Sequence, residues 1–594
     1  MTAIRTIFSK NRLAAALFCL ICIAVSVTGF VASVSKPFSL DETDLATRAH
    51  MINSDGPRGP ELFFGKNNGE AVPHPPMYDY TLALIFHVFG ETETSARFFG
   101  ILCFIAVGIL TALSLKFLLE EETAFVRDSA IFIALCFYLV NPLILQHSML
   151  VDADAAYTFL FLNLFIYFFI RFEKCRPESV LAPRLALASV FALVCLSKEG
   201  TPFLLAGGVL AYRALGSEWK KLFLDLLLVF ALGAAIAWSA WLVFCHYTGI
   251  DVMIFLRQQY AFRVSKFGHH NFLMKIIKDL PATCQWPLLW MSPGFFALLG
   301  MALFHRAASL FSVRRRALSD VLLLAGGAVW LPYLVVRPSM DMMKYQHPVY
   351  PLFMMSITCY LAGVFRRHES AAREQASAKP WALLSLIFIA GLGVFYYHHL
   401  GDPVYFLAYP AHDGRKIAVM AMYWRPVLLI FSAAAIYGFF RRRFFLEATA
   451  VACLVFIFSA NVALDLRQTA PYTTAESWLN YGESGLKETA EYLSVKISPK
   501  TPCILRKDLV YYLQFRYGIT PKNTDPVYLF KDGPLPEAVR NFLRGTPADY
   551  VELDPVVMMS NPYLGLLGKK VFQGYTMDKK IGSFMILKKP GWSL

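Results

Sequence analysis

Long apolar runs separated by short polar segments dominate the chain up to about residue 464. A helix needs about 17 to 25 mostly apolar residues to cross a bilayer. Thirteen candidate runs are found, with the fifth and sixth shorter than the rest: 12–34, 97–119, 129–147, 152–171, 183–197, 201–214, 222–246, 286–304, 319–336, 348–365, 380–399, 425–440 and 445–464. The pattern predicts a polytopic α-helical membrane protein with about 13 transmembrane helices.

The pattern changes at about residue 465, where polar helices begin to alternate with short β-rich runs. The segments SGLKETAEYLSVKI, VYYLQFRYG and LPEAVRNFLR favour helices, and TPCILRK, PVYLF, ADYVELD and IGSFMILKK favour strands. This alternation predicts a small α/β domain. We therefore expect a transmembrane domain over 1–464, with interfacial helices in the loop 35–96, and a soluble α/β domain over 465–594. The second domain has no Gly-rich phosphate loop and no nucleophile elbow, which favours covering, recognition or scaffolding over catalysis.

Composition and charge support a membrane protein and indicate its orientation. Charged residues make up 16% of the chain, against about 25% in soluble proteins. The net charge of +14 comes from Lys and Arg clusters between apolar runs, a pattern typical of membrane topology and not of a nucleic-acid groove. The clusters are Arg5/Lys10/Arg12, Lys174/Arg176/Arg184, Arg213/Lys220/Lys221, Arg306/Arg314/Arg315/Arg316, Arg366/Arg367/Arg373 and Arg441/Arg442/Arg443.

If the spans alternate, all of these clusters fall on one side, which the positive-inside rule makes cytoplasmic. An odd number of spans then places residues 465–594 on the opposite face, the periplasmic face of a bacterial inner membrane. The eleven cysteines lie mostly in or beside apolar runs and indicate no disulfide framework.

The segment SLDETDLATRAHMI, residues 39–52, places Asp41 and Glu42 just outside the first span. Two carboxylates at this depth are candidates for a general base that acts on a membrane-borne substrate. The alternative is structural, because Ser39, Asp41 and Thr43 are also good N-caps for an interfacial helix.

The next external segment is AVPHPPMYDYTLALIFHVFGETETSARFFGIL, residues 71–102. Two prolines follow His74, and they stiffen the backbone that would hold this imidazole at the membrane rim. An aromatic-rich interfacial helix is predicted to follow. The alternative is that His74 is simply a polar residue at a wet boundary.

The order of these signals resembles the GT-C glycosyltransferases that use polyprenyl-phosphate sugars. The signals are an acidic pair after the first span, HPP before an interfacial helix, and FGETETSAR leading into the second span. The likeness covers about the first 360 residues and is to the branch with protein O-mannosyltransferases, rhizobial galacturonosyltransferase-like proteins and the lipid A aminoarabinose transferase. The aminoarabinose branch has an acidic residue and a lysine near His74, whereas this chain does not, and this departure weakens the transfer of that branch's metal site.

The resemblance implies roles for three of these residues. Asp41 matches the catalytic aspartate, which takes a proton from the acceptor while the acceptor attacks the anomeric carbon with inversion. Glu42 would orient the acceptor or the base, and His74 matches the histidine of the HPP motif. The displaced phosphate carries negative charge, so the site needs cations or a metal nearby.

Further candidates lie at the ends of later spans on the same predicted face. Asp152 and Asp154 begin the fourth span, where they are either functional carboxylates or helix caps. Lys198 lies in the turn between the fifth and sixth spans and, as an external cation, is a candidate for binding lipid phosphate, with a simple surface turn as the alternative. The stretch 335–353 resembles the basic-plus-tyrosine segment beside the donor phosphate in GT-C enzymes, and solvated loop residues are the alternative. Its candidates are Arg337, Lys344, Tyr345 and His347.

A divalent metal is a further candidate partner. His269 and His270 lie in the external loop 247–285, and either would complete a metal site with a carboxylate of the first loop. Because three ligands with suitable spacing are not visible in the sequence, a site without a metal is the alternative, and no other cofactor is indicated.

Together these features favour an inverting membrane glycosyltransferase with Asp41 as the general base. The predicted donor is a sugar linked to polyprenyl (undecaprenyl) phosphate. The predicted acceptor is a lipid, such as lipid A or another envelope glycolipid, or a protein, and the other partners are membrane lipids. A transporter or flippase for a lipid-linked glycan is the alternative, although the one-sided loops, the odd span count and the lack of a two-half repeat disfavour it. A non-catalytic scaffold would leave the clustering on one face unexplained.

Overall fold

The computed structural model describes residues 12–38, 41–57, 77–175, 181–198, 200–215, 219–249, 294–303, 305–306, 317–336, 343–369, 444–468, 485–523, 549–553, 575–582 and 584–589, with the single residues Val252 and Ser292. All of the structure reported below lies in these ranges.

Helices make up the membrane part of the chain. In chain order they are α1 (Arg12–Ser33), α2 (Asp41–Asp55), α3 (Met77–Phe89), α4 (Glu93–Leu118), α5 (Ala124–Leu139), α6 (Pro142–Ser148), a π-helical turn (Asp154–Thr158), α7 (Phe159–Cys175), α8 (Leu181–Ser197), α9 (Thr201–Ala214), α10 (Trp219–Thr248), α11 (Gly294–Leu303), α12 (Asp320–Val336), α13 (Met343–Gln346), a 3-10 turn (His347–Val349), α14 (Tyr350–Glu369) and α15 (Phe444–Gln468).

The helices confirm the predicted class of polytopic α-helical membrane protein. Within the described ranges, α1, α4, α10 and the π-turn with α7 are long and apolar enough to cross a membrane, and shorter apolar helices accompany them. Eleven of the thirteen predicted spans coincide with a helix, and the other two, 380–399 and 425–440, lie outside the described residues. The helix predicted after HPP is α3, and its place at the membrane interface stays a prediction.

The third predicted span, 129–147, is not one straight helix. It is divided into α5 and α6, which meet at an angle of 58°. Proline has no backbone N–H and favours the first turn of a helix, so Pro142 starts α6 instead of continuing α5. The side chain of Asn141 caps the new helix by accepting a hydrogen bond from the Ile144 N–H at 3.0 Å.

The C-terminal region contains a five-stranded mixed sheet, which confirms the predicted α/β character. Its elements are α16 (Leu486–Ser494), β1 (Pro502–Ile504), α17 (Lys507–Tyr517), β2 (Lys522–Asn523), β3 (Tyr550–Leu553), β4 (Thr576–Ile581) and β5 (Phe584–Lys588). The strand order is β2-β1-β3-β5-β4, with β1 parallel to β2 and β3 and the remaining pairs antiparallel. The predicted strand PVYLF and helix LPEAVRNFLR lie outside the described residues.

Two apolar cores organise these elements. The larger one lies among the membrane helices. The second core joins three regions: the first external loop (Phe38, Ala46, Tyr78), the start of the π-turn (Val151, Ala156) and the C-terminal region (Leu505, Tyr512, Phe584). The C-terminal sheet and its helices are therefore packed onto the end of the bundle that carries the acidic loop, whereas the domain boundary at 464/465 stays a prediction.

Candidate functional site

The acidic loop forms α2, which begins at Asp41. The side chain of Asp41 lies outside the part of the chain that the structure describes. That of Glu42 is buried, with 4% of the residue exposed. Its carboxylate accepts hydrogen bonds from Arg97 Nη2 at 3.1 and 3.2 Å and from the Val151 backbone N–H at 3.0 Å. Glu42 thus ties the first loop to α4 and to the chain just before the π-turn.

Arg97 is a buried cation near the beginning of α4, and only 1% of it is exposed. It donates from Nε to the Met149 carbonyl at 3.0 Å and from its terminal nitrogens to the carbonyls of Lys36 and Pro37. Arg97 belongs to the segment FGETETSAR, but no role was predicted for it. The signal was available, because a guanidinium at the start of an apolar span needs buried partners.

Lys36 lies beside this ion pair and is also buried. Burial lowers its pKa from 10.5 to about 7, although the negative charge of Glu42 raises it. The hydroxyl of Tyr78 on α3 has a pKa well above its ordinary value, because the side chain is buried and faces the charges of Asp152 and Glu42. The first loop, α3 and the π-turn therefore meet in a single charged region with low solvent access.

The predicted carboxylates Asp152 and Asp154 lie at the entrance of the fourth span, where the helix begins with a π-turn. The Asp152 carboxylate accepts a hydrogen bond from the Asp154 N–H at 2.8 Å, which holds the backbone at the start of the turn. Asp154 forms a buried ion pair with Lys198. Single π-turns within helices are frequent at functional sites because they redirect side chains.

Lys198 lies in the turn between α8 and α9, as predicted, and contacts aromatic rings from two other elements. Its Nζ is 3.4 Å from the ring centroid of Tyr345 and 5.8 Å from that of Tyr333. The two rings stack with their centroids 5.4 Å apart. The Tyr333 hydroxyl is 2.9 Å from Thr201 Oγ1. Tyr345 was predicted, whereas Tyr333 was not, because its position inside an apolar span gives no separate signal.

His347 lies in the 3-10 turn before α14 and is fully buried. Its ring stacks on Phe159 at 4.3 Å and on His147 at 5.4 Å between centroids. His147 Nδ1 lies 2.8 Å from the Leu143 carbonyl. The next residue, Pro348, accepts a hydrogen bond from Asn163 Nδ2 at 3.1 Å. This packing fixes the start of α14 against α6 and α7.

The structure brings Glu42, Asp152, Asp154, Lys198, Tyr345 and His347 together at one end of the bundle. Other predicted residues lie outside the described part of the chain: His74, His269, His270, Arg337 and the side chain of Lys344. Among the described residues, no group of three His, Cys, Asp or Glu side chains is placed to hold a metal.

The segment 149–154 connects the two halves of this region. The Met149 carbonyl accepts a hydrogen bond from Arg97, and the Val151 N–H donates one to Glu42. The Asp154 carboxylate forms an ion pair with Lys198. This short segment therefore contacts the Glu42–Arg97 ion pair and also contributes Asp154 to the ion pair with Lys198. Such an arrangement can hold a general base on one side and balance the charge of an anionic group on the other.

Known proteins resemble this chain in part of its sequence and in its fold. The family model of dolichyl-phosphate-mannose-protein mannosyltransferases matches residues 73–244. None of the curated protein sequences matches the chain. The crystal structure of ArnT from Cupriavidus metallidurans in the apo state is similar over 97% of this chain and 98% of its own, with 15% identity and a TM-score of 0.55. The structure of that protein bound to undecaprenyl phosphate gives 13% identity, a TM-score of 0.52 and the same coverage.

These matches complement each other. The family model covers α3, the helices from α4 to α9 and most of α10, a range that includes Arg97, the π-turn and Lys198. The likeness of the solved structures extends over nearly the whole chain and includes the C-terminal region. The chain therefore has the GT-C fold of these structures, and the family match over residues 73–244 indicates a glycosyltransferase.

Proposed function

We propose that this glycosyltransferase moves one sugar from a polyprenyl phosphate carrier to a lipid or protein acceptor at the external face of the membrane. The observation that carries the proposal is the connection through segment 149–154 described above. It joins the acidic loop to the Asp154–Lys198 pair at one end of the bundle. A base and a phosphate-binding cation on the same end are what this transfer requires.

The donor phosphate is assigned to the cluster of Lys198, Asp154 and Tyr345. Lys198 is a cation in a turn at the proposed membrane boundary, where lipid phosphates are the anions available for binding. Its amine contacts both a carboxylate and an aromatic face, so its position is fixed before a donor arrives. The complex of the similar ArnT with undecaprenyl phosphate supports a lipid of this class.

In the proposed reaction, Asp41 takes the proton from the acceptor's nucleophilic group. That group attacks the anomeric carbon, the new glycosidic bond forms with inversion, and the bond to the carrier phosphate breaks. The carrier leaves as a phosphate anion, which the Lys198 ammonium binds. Glu42, held by Arg97 and Val151, fixes the first turn of α2 and with it the backbone of Asp41.

The proposed location is the inner membrane of a bacterium, with the site and residues 465–594 in the periplasm. A divalent metal bound by His269 or His270 stays a prediction, because both residues lie outside the described part of the chain. The acceptor is either lipid A, another envelope glycolipid or a protein. A site at the membrane boundary suits a donor and an acceptor that are both lipids.

The test compares envelope lipids and glycoproteins by mass spectrometry. Four strains are needed: wild type, a deletion of the gene, Asp41→Asn and Asp55→Asn. Asp55 is the matched control, because it lies at the other end of α2 and is exposed. We expect the deletion and Asp41→Asn to lose the same single sugar mass from one molecule, whereas Asp55→Asn keeps it. A complete glycan profile in Asp41→Asn, with normal protein levels, would contradict the assignment.

A further inference from the structure

The C-terminal region holds the backbone that leads into the acidic pair. Helix α17 places Tyr512 in the second apolar core, fully buried against the first loop. Its hydroxyl accepts a hydrogen bond from the Phe38 N–H at 2.5 Å and donates one to Glu93 Oε1 at 2.8 Å. One phenolic oxygen therefore links three parts of the chain that are far apart in sequence.

Glu93 is the anchor of this contact, at the first turn of α4. It is buried, and two cations of the C-terminal region also reach its carboxylate: Lys487 at 3.0 Å and Arg516 at 3.2 Å. Lys487 donates as well to the Ser35 carbonyl at 3.1 Å. Three side chains from α16 and α17 thus converge on one membrane-helix carboxylate and on segment 35–38.

The same segment is held from its other side by the membrane domain. Arg97 donates to the carbonyls of Lys36 and Pro37, and the same guanidinium binds Glu42. Side chains from both regions therefore bind four backbone groups of segment 35–38, and the Phe38 ring is fully buried. Because consecutive Cα atoms are about 3.8 Å apart, Asp41 lies at most about 11 Å further along the chain.

We infer that Tyr512 is a positioning residue for the proposed general base: its hydroxyl fixes the Phe38 backbone and thereby the start of the helix that carries Asp41. This inference rests on the function proposed above. It assigns the C-terminal region a part in the transfer reaction that its sequence alone does not indicate. General-base catalysis depends on geometry within about 1 Å, so releasing this backbone slows the reaction about ten- to hundredfold.

The chain offers a matched control in the neighbouring Tyr511. Its ring packs edge-on against Phe38 with centroids 6.0 Å apart, and its hydroxyl is buried without a hydrogen-bond partner among the described residues. Tyr512→Phe and Tyr511→Phe each remove one buried hydroxyl from the same helix and keep both rings. Only Tyr512→Phe removes the bond to Phe38.

The experiment uses the full-length protein and has two readouts. Hydrogen–deuterium exchange of detergent-purified protein follows peptides that contain residues 36–45, with peptides of α4 and β5 as the measure of intact folding. In parallel, expression is induced in the deletion strain, and the appearance of the sugar-bearing molecule is timed by mass spectrometry. Asp41→Asn is run alongside as the inactive reference.

We expect Tyr512→Phe alone to exchange faster at residues 36–45 and to form product about ten- to hundredfold more slowly, with α4 and β5 still protected. Equal exchange in the two tyrosine variants would overturn the inference, and so would faster exchange with an unchanged product rate. If Asp41→Asn forms product at the wild-type rate, the proposed function fails and the inference fails with it. If Asp41→Asn is inactive while Tyr512→Phe behaves like Tyr511→Phe, only the inference fails.

Discussion

Arg97 is held by backbone carbonyls as much as by a carboxylate, and this explains how a charge can be so deeply buried. A guanidinium has five N–H donors and needs several acceptors when water is excluded. Glu42 supplies one acceptor group, and the carbonyls of Met149, Lys36 and Pro37 supply others. Removing one partner of a buried ion pair costs about 3–5 kcal/mol, because the other charge is left without compensation. Arg97 is therefore a structural centre of the acidic loop.

Lys36 provides a pH-dependent test of this buried region. Its pKa is about 7 in the folded protein and 10.5 when the side chain is free in water, so between these values the unfolded chain binds the proton and the folded chain does not. Stability conferred by this group must therefore rise with pH above about 7 and be lost as pH falls. Relative to Lys36→Met, we expect the wild-type free energy of unfolding to increase by up to about 3 kcal/mol between about pH 7 and about pH 9.

The measurement is the apparent melting temperature in detergent across this pH range. Lys500→Met is the matched control, because it removes an exposed lysine from the C-terminal region. Its melting curve is expected to follow that of the wild type. Parallel pH dependence of wild type and Lys36→Met would show that Lys36 keeps its proton in the folded protein.

The sequence could identify candidate residues but not their partners. Asp152, Asp154 and Lys198 were found because ionisable groups at membrane boundaries are rare and need a reason. That Asp154 pairs with Lys198, and Glu42 with Arg97, depends on which helix ends meet. Sequence periodicity says which face of a helix is apolar, but not which of several helices faces it. Tyr512 was missed for the same reason, since its partners Phe38 and Glu93 lie more than 400 residues away.

At the scale of elements, two irregularities in consecutive helices set the geometry of the site. The break before Pro142 turns α6 away from α5, and the π-turn begins the next span at Asp154. Between them lies the segment that contacts Arg97 and Glu42. The apolar runs predicted the existence of these spans, because helix formation across a membrane is set by local hydrophobicity. They did not predict the π-turn, which depends on tertiary packing.

Close helix packing gives a stability prediction at the crossing of α9 and α12. A Cβ on Gly208 would lie 2.6 Å from the Ala325 Cα and from the Leu324 carbonyl oxygen, so Gly208→Ala must push the helices apart. Small residues at such crossings allow the backbones of membrane helices to approach. We expect a loss of about 1–3 kcal/mol, read as a lower melting temperature in detergent.

The adjacent Gly207 is the control for this crossing. A Cβ at Gly207 meets no described atom within 4 Å, and the residue is exposed on the outer side of α9. Gly207→Ala should leave the melting temperature unchanged or raise it slightly, since alanine favours helix more than glycine does. Equal losses in the two variants would show that helix propensity, and not the crossing, determines the effect.

The C-terminal strands show where element prediction from sequence failed. The apolar segments TPCILRK, ADYVELD and IGSFMILKK predicted β1, β3 and β5 correctly. The strand β4 has the sequence TMDKKI and lies at the edge of the sheet. Because this sequence is mostly polar, it does not show the apolar pattern from which a strand is predicted. The strand β2 is two residues long and pairs only with β1, too short to give a pattern.

At the scale of the whole molecule, the two ends of the helix bundle carry different sets of charged residues. The site end carries Glu42, Asp152, Lys198 and the contact with the C-terminal region. At the opposite end, described members of the predicted cytoplasmic clusters pair with acidic residues, two of which lie in the turn between α4 and α5. Glu120 pairs with Lys174 at 3.2 Å, and Glu122 pairs with Arg366 at 3.2 Å. Two of the three glutamates of this turn therefore have basic partners among the described residues.

This separation makes the orientation of the protein testable with two new cysteines. Val495 is 75% exposed beyond α16 on the C-terminal side, and Glu121 is exposed in the turn at the far end of α4, about 40 Å along that helix from Glu93. A membrane-impermeant maleimide should label Val495→Cys in spheroplasts and Glu121→Cys only after lysis. The parent protein gives the background, which is expected to be low from the nine cysteines of the described residues, because all are buried or half-buried. The reverse result would place the Asp154–Lys198 cluster on the cytoplasmic face, where the proposed periplasmic transfer is impossible.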